Sequence, residues 1–537
     1  MLMNKIKTRF SIRTMLYGLL ACSMMSCSNN LDIEVVGVGG QPHDPSKPIE
    51  ITDYSPKTGA AGQQMVIYGK NFGNDPSIIK VTVGGAEAVV VSSNGDAIYC
   101  LAPSKTETDE EPVFNQPDDE DYGTSSQDAT EDEEQAAGAR SIYVAVGPEG
   151  AMKVAKAEGT FEYEKTWHVR TVVGTVNDKK EAEIKDGPFG DCGNIMNAAT
   201  FAADPLNPLH IYVSSDLHTG GTTAGVGSRS DIRLIDFEKK EVTTIFNASY
   251  FNQSRIRDVK FTRDKHHHML VAMDGGNPSV ILVKRKEPGM TGADAFKNQP
   301  WDGLSYTSGC NGMDVHPKSG SMFFNSYGDG GFYKFPDHTI NPGDDIYACL
   351  GTPADDDKHK SQRMFLHGER YLEMRVEIHP DGNYMLILQI NGGSYIGKSM
   401  YNAMTDTFGM MSGYVGNHTT LGGGRGYIDD VGTSAKTNSP RQIAWVKNPE
   451  YEGQTDQYDA YFTDCANHCI RKVTPQGVVS TFAGRGSGTT NPDGFADGLA
   501  RGEALFNRPC GFYYNEERNV FWVGDTNNLR IREIYYE

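Results

Sequence analysis

Four arginines have the residue type and the position to hold an acidic ligand: Arg257, Arg375, Arg441 and Arg508. Each stands just before or within a short run of alternating apolar residues, a pattern that predicts a β-strand. A guanidinium group binds a carboxylate or a sulfate through a fork of parallel hydrogen bonds. Ion pairing with acidic neighbours is the alternative role for these arginines.

Aromatic side chains occur in the predicted loops beside these strands, namely Trp301, Tyr306, Tyr327 and Tyr395. Tryptophan and tyrosine rings are apolar on their faces and carry a polar group at the edge, so they stack on sugar rings. The arginines and the aromatic residues together predict a binding site for an oligosaccharide with acidic groups.

The signal for catalysis is weak, because the chain has neither a G-x-S-x-G elbow nor an H-E-x-x-H pair. His218 and Tyr327 form a conceivable base and acid for chemistry on a uronic acid. A polysaccharide lyase is therefore an alternative to a binding protein. We expect no cofactor and no metal site, and we interpret the three histidines at 266–268 as a hairpin turn that lacks metal-binding partners.

Two cysteines, Cys465 and Cys469, flank a predicted turn. In a protein that matures outside the cytoplasm, this spacing predicts a short-range disulfide. A zinc ion held by these cysteines and His468 is the rival interpretation.

The elements that position these residues are short strands in six repeated sets after residue 165. Short strands separated by turn clusters at regular spacing are typical of a β-propeller. The last set ends after its third strand, and HVRTVVGTV aligns with GVVSTFAGR of the preceding set. We therefore predict that residues 169–174 supply the missing outermost strand of the sixth blade and close the ring.

The C-terminal repeat resembles the NHL family, whose pattern is G-x-x-G-x-x-D-G, A-x-F-x-x-P-x-G and D-x-x-N-x-x-I-R. The matching residues are Gly494, Asp497, Gly498, Ala504, Phe506, Pro509, Gly511, Asp525, Asn528, Ile531 and Arg532. The resemblance implies a six-bladed NHL-type propeller over residues 165–537. In such a ring the four arginines would face the central funnel, and Asp525 would brace a turn.

Residues 48–164 resemble the IPT/TIG immunoglobulin-like module, through SPKTGAAGQQMVIYGKNFG and KVTVGGAEA. An insert at 104–140 departs from that module, with thirteen acidic and two basic residues and few aliphatic ones, so we expect it to be disordered. The predicted fold class is all-β, an immunoglobulin-like IPT/TIG sandwich followed by a six-bladed NHL-type β-propeller.

Residues 1–27 read as a lipoprotein signal peptide, with a basic start, a short apolar stretch and a cysteine. Cys27 is the preferred acylation site because it leaves the fuller apolar stretch and precedes a polar run. Cys22, after LLA, is the alternative. Residues 28–47 carry glycine and proline without a packable period, which predicts a tether.

The acidic balance, with a formal net charge of −20, excludes non-specific nucleic-acid binding, which needs a basic surface. The chain resembles Bacteroidetes surface lipoproteins that assist glycan utilisation. This resemblance implies an outer-membrane, lipid-anchored protein that captures a polysaccharide for a SusC/SusD-type transporter. A propeller polysaccharide lyase and a protein-binding adhesion module are the alternatives.

We predict that Cys27 carries the acyl chains. Replacement Cys27→Ala should abolish palmitate labelling and membrane partitioning, because each buried methylene of the anchor contributes about 0.8 kcal/mol to membrane binding. Cys22→Ala is the matched control and should still be labelled. Label that persists in Cys27→Ala and disappears in Cys22→Ala would move the site to Cys22.

Overall fold

The computed structural model describes two compact units, which divide between Lys165 and Thr166. Within the described part of the chain, no helix has the length and apolar character needed to cross a membrane. The lipidation site predicted at Cys27, with its alternative Cys22, lies outside the described residues. The residues described are 40–60, 62–103, 105, 109, 111–112, 114, 139–174, 185–195, 198–215, 230–252, 255–274, 278–305, 307–336, 343–346, 361–367, 371–417, 425–488 and 492–537.

The first unit is a sandwich of two sheets, as the IPT/TIG resemblance implies. One sheet has the order β1-β3-β7-β6 and the other β2-β9-β8-β4-β5. Apolar residues that alternate along these strands meet between the sheets, among them Ile67, Val81 and Val144, all fully buried. The strands are β1 (Glu50–Ser55), β2 (Thr58–Gly59), β3 (Gln64–Lys70), β4 (Ile79–Val83), β5 (Ala86–Glu87), β6 (Val89–Ser93), β7 (Ala97–Leu101), β8 (Ala139–Val146) and β9 (Lys153–Tyr163).

The end of the predicted tether and part of the predicted acidic insert form hydrogen bonds with this unit. Asn71 accepts a hydrogen bond from the Asp44 backbone at 2.8 Å, so the end of the predicted tether is part of the folded unit. Asp109, within the predicted acidic insert, accepts hydrogen bonds from the Ser141 backbone at 2.9 Å and from the Ser141 hydroxyl at 2.8 Å. Strand β8 begins at Ala139, inside the segment that we expected to be disordered.

The second unit is a six-bladed propeller, which confirms the predicted class. Each blade is an antiparallel sheet, and an additional short strand extends the outer edge of blades one and six. Blade one comprises β11 (Gly187–Pro188), β12 (Ala198–Asp204), β13 (Asn207–Ser215), β14 (Asp231–Asp236) and β15 (Glu241–Asn247). Blade two comprises β16 (Arg255–Phe261), β17 (Met269–Asp274), β18 (Val280–Val283) and β19 (Trp301–Ser305). Blade three comprises β20 (Met313–Val315), β21 (Met322–Asn325), β22 (Gly331–Phe335) and β23 (Gln362–Leu366). Blade four comprises β24 (Met374–Ile378), β25 (Tyr384–Gln389), β26 (Tyr395–Asn402), β27 (Thr407–Phe408) and β28 (Ser412–Val415). Blade five comprises β29 (Pro440–Lys447), β30 (Tyr458–Asp464), β31 (Cys469–Val473) and β32 (Val479–Ala483).

Blade six joins the two ends of the propeller. Strand β10 (Trp167–Val173) pairs with β36 (Arg530–Tyr536), and Val169 lies opposite Ile534. This pairing confirms that an early segment supplies the missing strand. The other strands of the blade are β33 (Gly498–Leu499), β34 (Pro509–Asn515) and β35 (Val520–Asp525).

Short 3-10 helices connect several strands. They cover Pro76–Ile78, Ala248–Phe251, Ala293–Ala295, Gly432–Ser434, Pro449–Tyr451, Cys465–Asn467 and Thr526–Asn528.

A network of one arginine and two aspartates braces blade six, in which Arg532 and Asp525 are buried and Asp497 is exposed. The Arg532 guanidinium donates to Asp525 Oδ2 at 2.8 Å and to Asp497 Oδ1 at 2.5 Å. Asp525 also accepts from the Asn507 backbone at 2.7 Å, and burial raises the pKa of Asp525 to about 6. Asp497 accepts from the Thr171 backbone on β10 at 3.2 Å. Asp525 is therefore a structural residue, as the sequence predicted.

Blade five repeats the same arrangement. Arg471 donates to Asp464 at 3.0 Å and to Asp429 at 2.8 Å, and Asp464 accepts from the Asn438 backbone at 2.6 Å. Burial raises the pKa of Asp464 to about 6, as it does for the equivalent aspartate of blade six. The NHL pattern thus corresponds to a repeated set of contacts.

We predict that β10 stabilises the propeller. A chain that begins at residue 177 lacks the buried Val169 and Val173, each of which contributes roughly 1.5 to 3 kcal/mol by burial. Its urea transition should therefore fall to clearly lower denaturant concentration than that of a chain that begins at residue 166, measured by tryptophan fluorescence. Coinciding transitions for the two truncations would contradict the closure.

Candidate functional site

The first strands of the six blades line a central channel with two mouths. One mouth lies beside two kinds of loop, those that connect successive blades and those that connect the second strand of a blade to its third. We call this mouth the loop face and the other mouth the opposite face. The loop face was predicted to bind ligand.

Two of the four predicted arginines converge on one carboxylate near the loop face. Arg257 Nη1 donates to Glu373 Oε1 at 3.0 Å, and Arg441 Nη1 donates to the same oxygen at 2.9 Å. Arg257 also donates from Nη2 to Asp274 Oδ2 at 2.7 Å, and Arg255 Nη1 lies 3.1 Å from that atom. We call these five residues the Glu373 cluster.

The Glu373 cluster combines three guanidinium groups with two carboxylates. Arg257 and Arg441 are only 4% and 3% exposed, so their ion pairs are shielded from water. Arg255 is more accessible, with 20% of its side chain exposed. The alternative role for these arginines, ion pairing with acidic neighbours, is thus realised for two of them.

The other two predicted arginines lie apart from this cluster. Arg375 is buried on β24 and donates from Nη1 to the backbone oxygen of Asn311 in the neighbouring blade. Arg508 is half-buried just before β34, and its backbone nitrogen donates to His468 Nδ1 at 3.2 Å. Arg508 is the most accessible of the four predicted arginines.

A pair of tyrosines stands at the loop face between blades three and four. The ring of Tyr327 meets the ring of Tyr371 at a centroid distance of 5.7 Å, and Tyr371 is 61% exposed. Tyr327 also accepts a backbone hydrogen bond from Tyr371 at 2.8 Å. Tyr371 was not predicted, because a single tyrosine between strand patterns gives no signal of exposure.

Two other aromatic residues, Trp301 and Tyr395, were predicted to lie in loops but belong to strands. Trp301 opens the outermost strand of blade two and packs edge-on against Phe251, 5.9 Å between ring centroids, so it lies away from the channel. Tyr395 begins β26 and is 3% exposed, with its hydroxyl 2.7 Å from His367 Nε2. Proline and glycine around Trp301 suggested a loop, but the strand pairing with β18 prevails. Tyr306 lies outside the described residues, as does His218 of the lyase alternative.

The predicted disulfide between Cys465 and Cys469 is wrong for this structure. Both cysteines are free and buried, and the sulfur of Cys465 lies 2.8 Å from the sulfur of Cys510 in blade six. The turn directs Cys465 towards the neighbouring blade, whereas Cys469 begins β31. The rival zinc site also lacks support, since the groups of metal-capable side chains found among the described residues contain no cysteine.

The opposite face holds a cavity of about 490 Å³ that the sequence interpretation missed. Lys260, Asp314 and Glu377 contribute charged groups to it. Gln442 of blade five links blades six and one by accepting from the backbones of Phe512 and Phe201, each at 2.9 Å. The sequence does carry a signal for this cavity, namely charged residues within otherwise apolar first strands, as in RIRDVKF and RVEIHP. The aromatic lining comprises Phe201, Phe261, Trp445, Phe512, Tyr513 and Tyr514.

The polar groups of this cavity are largely paired with each other. Lys260 Nζ lies 2.7 Å from Glu377 Oε2 and 3.9 Å from Asp314 Oδ1. Asp314 Oδ2 accepts from the Ile378 backbone at 2.7 Å. Burial raises the pKa of Glu377, and Lys260 opposes the rise. The cavity therefore has no excess of positive charge to attract an anion.

One of the two clusters that could hold a metal involves the three-histidine turn. Asp264, His268 and Asp345 place ligand atoms within 4.8 Å of one another, so partners are present where we had expected none. However, His268 Nδ1 accepts a hydrogen bond from the Arg285 backbone at 2.9 Å, which leaves the proton of the neutral ring on Nε2, the atom that faces Asp264. This arrangement favours a structural turn. The other cluster is His210, Asp236 and Glu238.

Comparison with known proteins supports the two-unit architecture. The IPT/TIG domain family matches residues 48–130. An auxiliary nutrient binding protein from Bacteroides thetaiotaomicron is 34% identical, with a TM-score of 0.70, over 92% of this chain and 99% of that one. A phosphatase candidate from the same organism is 30% identical, with a TM-score of 0.73, over 93% and 99%. NHL repeat-containing protein 2 of Homo sapiens is 30% identical over 112 residues, which span 21% of this chain and 14% of that protein.

We predict that Glu373 stabilises the propeller by compensating Arg257 and Arg441. Replacement Glu373→Gln leaves two buried guanidinium groups without their shared carboxylate and should lower the free energy of unfolding by about 3 kcal/mol or more. Urea denaturation followed by tryptophan fluorescence measures this, because all four tryptophans lie in the propeller. The exposed Glu287→Gln is the control, and equal transitions for the two variants would show that the cluster does not stabilise the fold.

Proposed function

The chain belongs to the family of the auxiliary nutrient binding protein of Bacteroides thetaiotaomicron, and from this premise we propose that it binds a nutrient ligand in an accessory role. We further propose that the ligand is an oligosaccharide with carboxylate or sulfate groups and that it binds at the loop face. The observation that carries this proposal is that the guanidinium groups of the Glu373 cluster lie beside Tyr327, whose ring contacts the exposed ring of Tyr371.

The Glu373 cluster and the tyrosines are adjacent in the structure. A β-carbon added to Gly309 would lie 3.1 Å from Asp274 Oδ1 and 3.5 Å from the β-carbon of Tyr327, so this glycine lies close to both residues. Asp274 in turn binds Arg255 and Arg257. A ligand that stacks on the exposed Tyr371 ring would therefore extend past Tyr327 towards the guanidinium groups of the Glu373 cluster.

The acidic character of the ligand follows from local charge and not from the charge of the whole chain. Much of the excess of acidic residues belongs to the insert of the first unit. Exposed charges separated by more than about 8 Å are largely screened at physiological salt. A ligand at the loop face would therefore respond mainly to the charged groups that line this face.

The proposed setting is the cell surface, with the chain anchored in the outer membrane through an acylated Cys27. The apolar stretch before that cysteine and the polar segment after it support the anchor. We also propose a SusC/SusD-type transporter as the partner that receives the ligand. A chain held at the membrane by a lipid can present its loop face to a polysaccharide outside the cell.

A neutral sugar in the cavity of the opposite face is the second candidate. The six aromatic side chains there and the carboxylates of Asp314 and Glu377 suit the faces and hydroxyl groups of an uncharged ring. A phosphatase, a polysaccharide lyase and a protein-binding adhesion module are further alternatives that the same experiment addresses.

We predict that calorimetry of the soluble chain will detect oligogalacturonate or sulfated oligosaccharides but not a neutral oligosaccharide. Arg508→Ala and Tyr371→Ala should each weaken binding by about 10-fold or more, since a charge-assisted bond and a stacked ring each contribute roughly 1.5 to 3 kcal/mol. Binding of the acidic ligand should also weaken as salt is raised.

Matched controls separate the loop face from other sites. Arg263→Ala removes an exposed arginine that lines the opposite cavity, and Tyr68→Ala removes an exposed ring from the first unit; neither should change binding. Binding that is insensitive to salt, Arg508→Ala and Tyr371→Ala would contradict the loop-face site. Binding of a neutral sugar that is lost in Glu377→Gln would favour the opposite cavity, and release of phosphate or unsaturated sugar would identify an enzyme.

A further inference from the structure

Cys465 and Cys510 approach each other across the boundary between blades five and six. Cys465 belongs to the 3-10 helix Cys465–Asn467, which connects the second and third strands of blade five. Cys510 is the second residue of β34, the innermost strand of blade six. Their sulfur atoms are 2.8 Å apart, and both side chains are fully buried.

This distance is close to that of a covalent bond. A disulfide has a sulfur to sulfur length of about 2.0 Å, so a small rotation of either side chain would complete the approach. The backbone around the pair is already held, because Thr463 Oγ1 donates to the carbonyl oxygen of Cys510 at 2.8 Å. The Cys465 backbone nitrogen donates to Ser439 at 3.3 Å.

We propose that Cys465 and Cys510 form a disulfide that joins blade five to blade six in the mature protein. Nothing about this pair depends on the proposed ligand, but the proposal rests on the export of the chain that forms part of the proposed function. In this proposal Cys465 pairs with Cys510 of the neighbouring blade and not with Cys469 of its own blade. The proposed export of the chain provides the setting, since disulfides form and persist outside the cytoplasm.

The chemistry is an exchange with a disulfide of the oxidising compartment, on a protein or a small molecule. The Cys510 thiolate attacks one sulfur of that disulfide, forms a mixed disulfide and releases one thiolate. Cys465, as it loses its proton, then attacks the Cys510 sulfur and expels the second thiolate. The two cysteines lose two electrons and two protons, and the donor disulfide gains them as two thiols. Because both sulfurs are buried in the folded ring, the exchange takes place before blades five and six close.

In the closed ring the surroundings shift the pKa values of the two thiols in opposite directions. Burial opposes ionisation of Cys510, but the Cys465 thiol and the Arg441 guanidinium lower the pKa of Cys510 to about 7. Burial raises the pKa of Cys465.

The bond would fix two residues of the loop face relative to each other. Arg441 lies on the innermost strand of blade five, and Arg508 directly precedes the innermost strand of blade six. The pair is separated by 45 positions in the chain, a loop long enough for a cross-link to restrict the unfolded chain appreciably.

Peptide mapping of the intact chain tests the proposal without any substitution. The protein is refolded with oxidised glutathione and then unfolded in denaturant with iodoacetamide, which blocks the free thiols that are buried in the folded chain, and it is digested without reductant. Mass spectrometry should find the Cys465 and Cys510 peptides linked, two hydrogens lighter than their sum, with Cys469 alkylated. Reduction should lower the melting temperature by roughly 5 °C.

Two variants add a second readout. Cys469→Ser should retain the linked peptides and the temperature shift on reduction, whereas Cys510→Ser should lose both. Alkylation of Cys465 and Cys510 in the refolded wild-type chain, or a link between Cys465 and Cys469, would overturn the proposal.

Discussion

The propeller depends on arginine and aspartate side chains buried together between the strands of its NHL-type blades. In blade six, Arg532 reaches Asp525 at the end of the second strand and Asp497 in the loop that enters the blade. Removing the charge of Arg532 would leave Asp525 buried without its cation, which costs several kcal/mol. The pair therefore holds the blade together and also fixes the loop that leads to its first strand.

This network links the outer edge of the ring to the channel. Asp497 accepts from Thr171 on the closing strand, and Asp525 accepts from Asn507, the residue before Arg508. Blade five has the same chain of contacts, in which Asp464 accepts from Asn438, three residues before Arg441. Because the contacts are repeated, two arginines from different blades are brought to the same face of the ring.

The two mouths of the channel differ in their charged side chains. At the loop face the guanidinium groups of Arg255, Arg257 and Arg441 meet the carboxylates of Asp274 and Glu373. At the opposite face Lys260 already lies against Glu377 and near Asp314, and an anion would meet a site whose charges are satisfied. An uncharged ring could use the aromatic walls there.

The sequence by itself determined the fold class, the six blades and the closing strand, because these follow from local patterns: alternating strands, turn residues and the NHL motif that places Asp525, Asn528 and Arg532 together. It also placed Arg257 and Arg441 towards the channel, since strand periodicity sets the direction of a side chain. Only the tertiary structure decided what these arginines meet. Glu373 comes from another blade, Tyr371 is set beside Tyr327 by a loop, and Cys510 displaces Cys469 as the neighbour of Cys465. Such contacts depend on how separate blades pack around the ring, and no pattern within one segment encodes the distance to a residue in another.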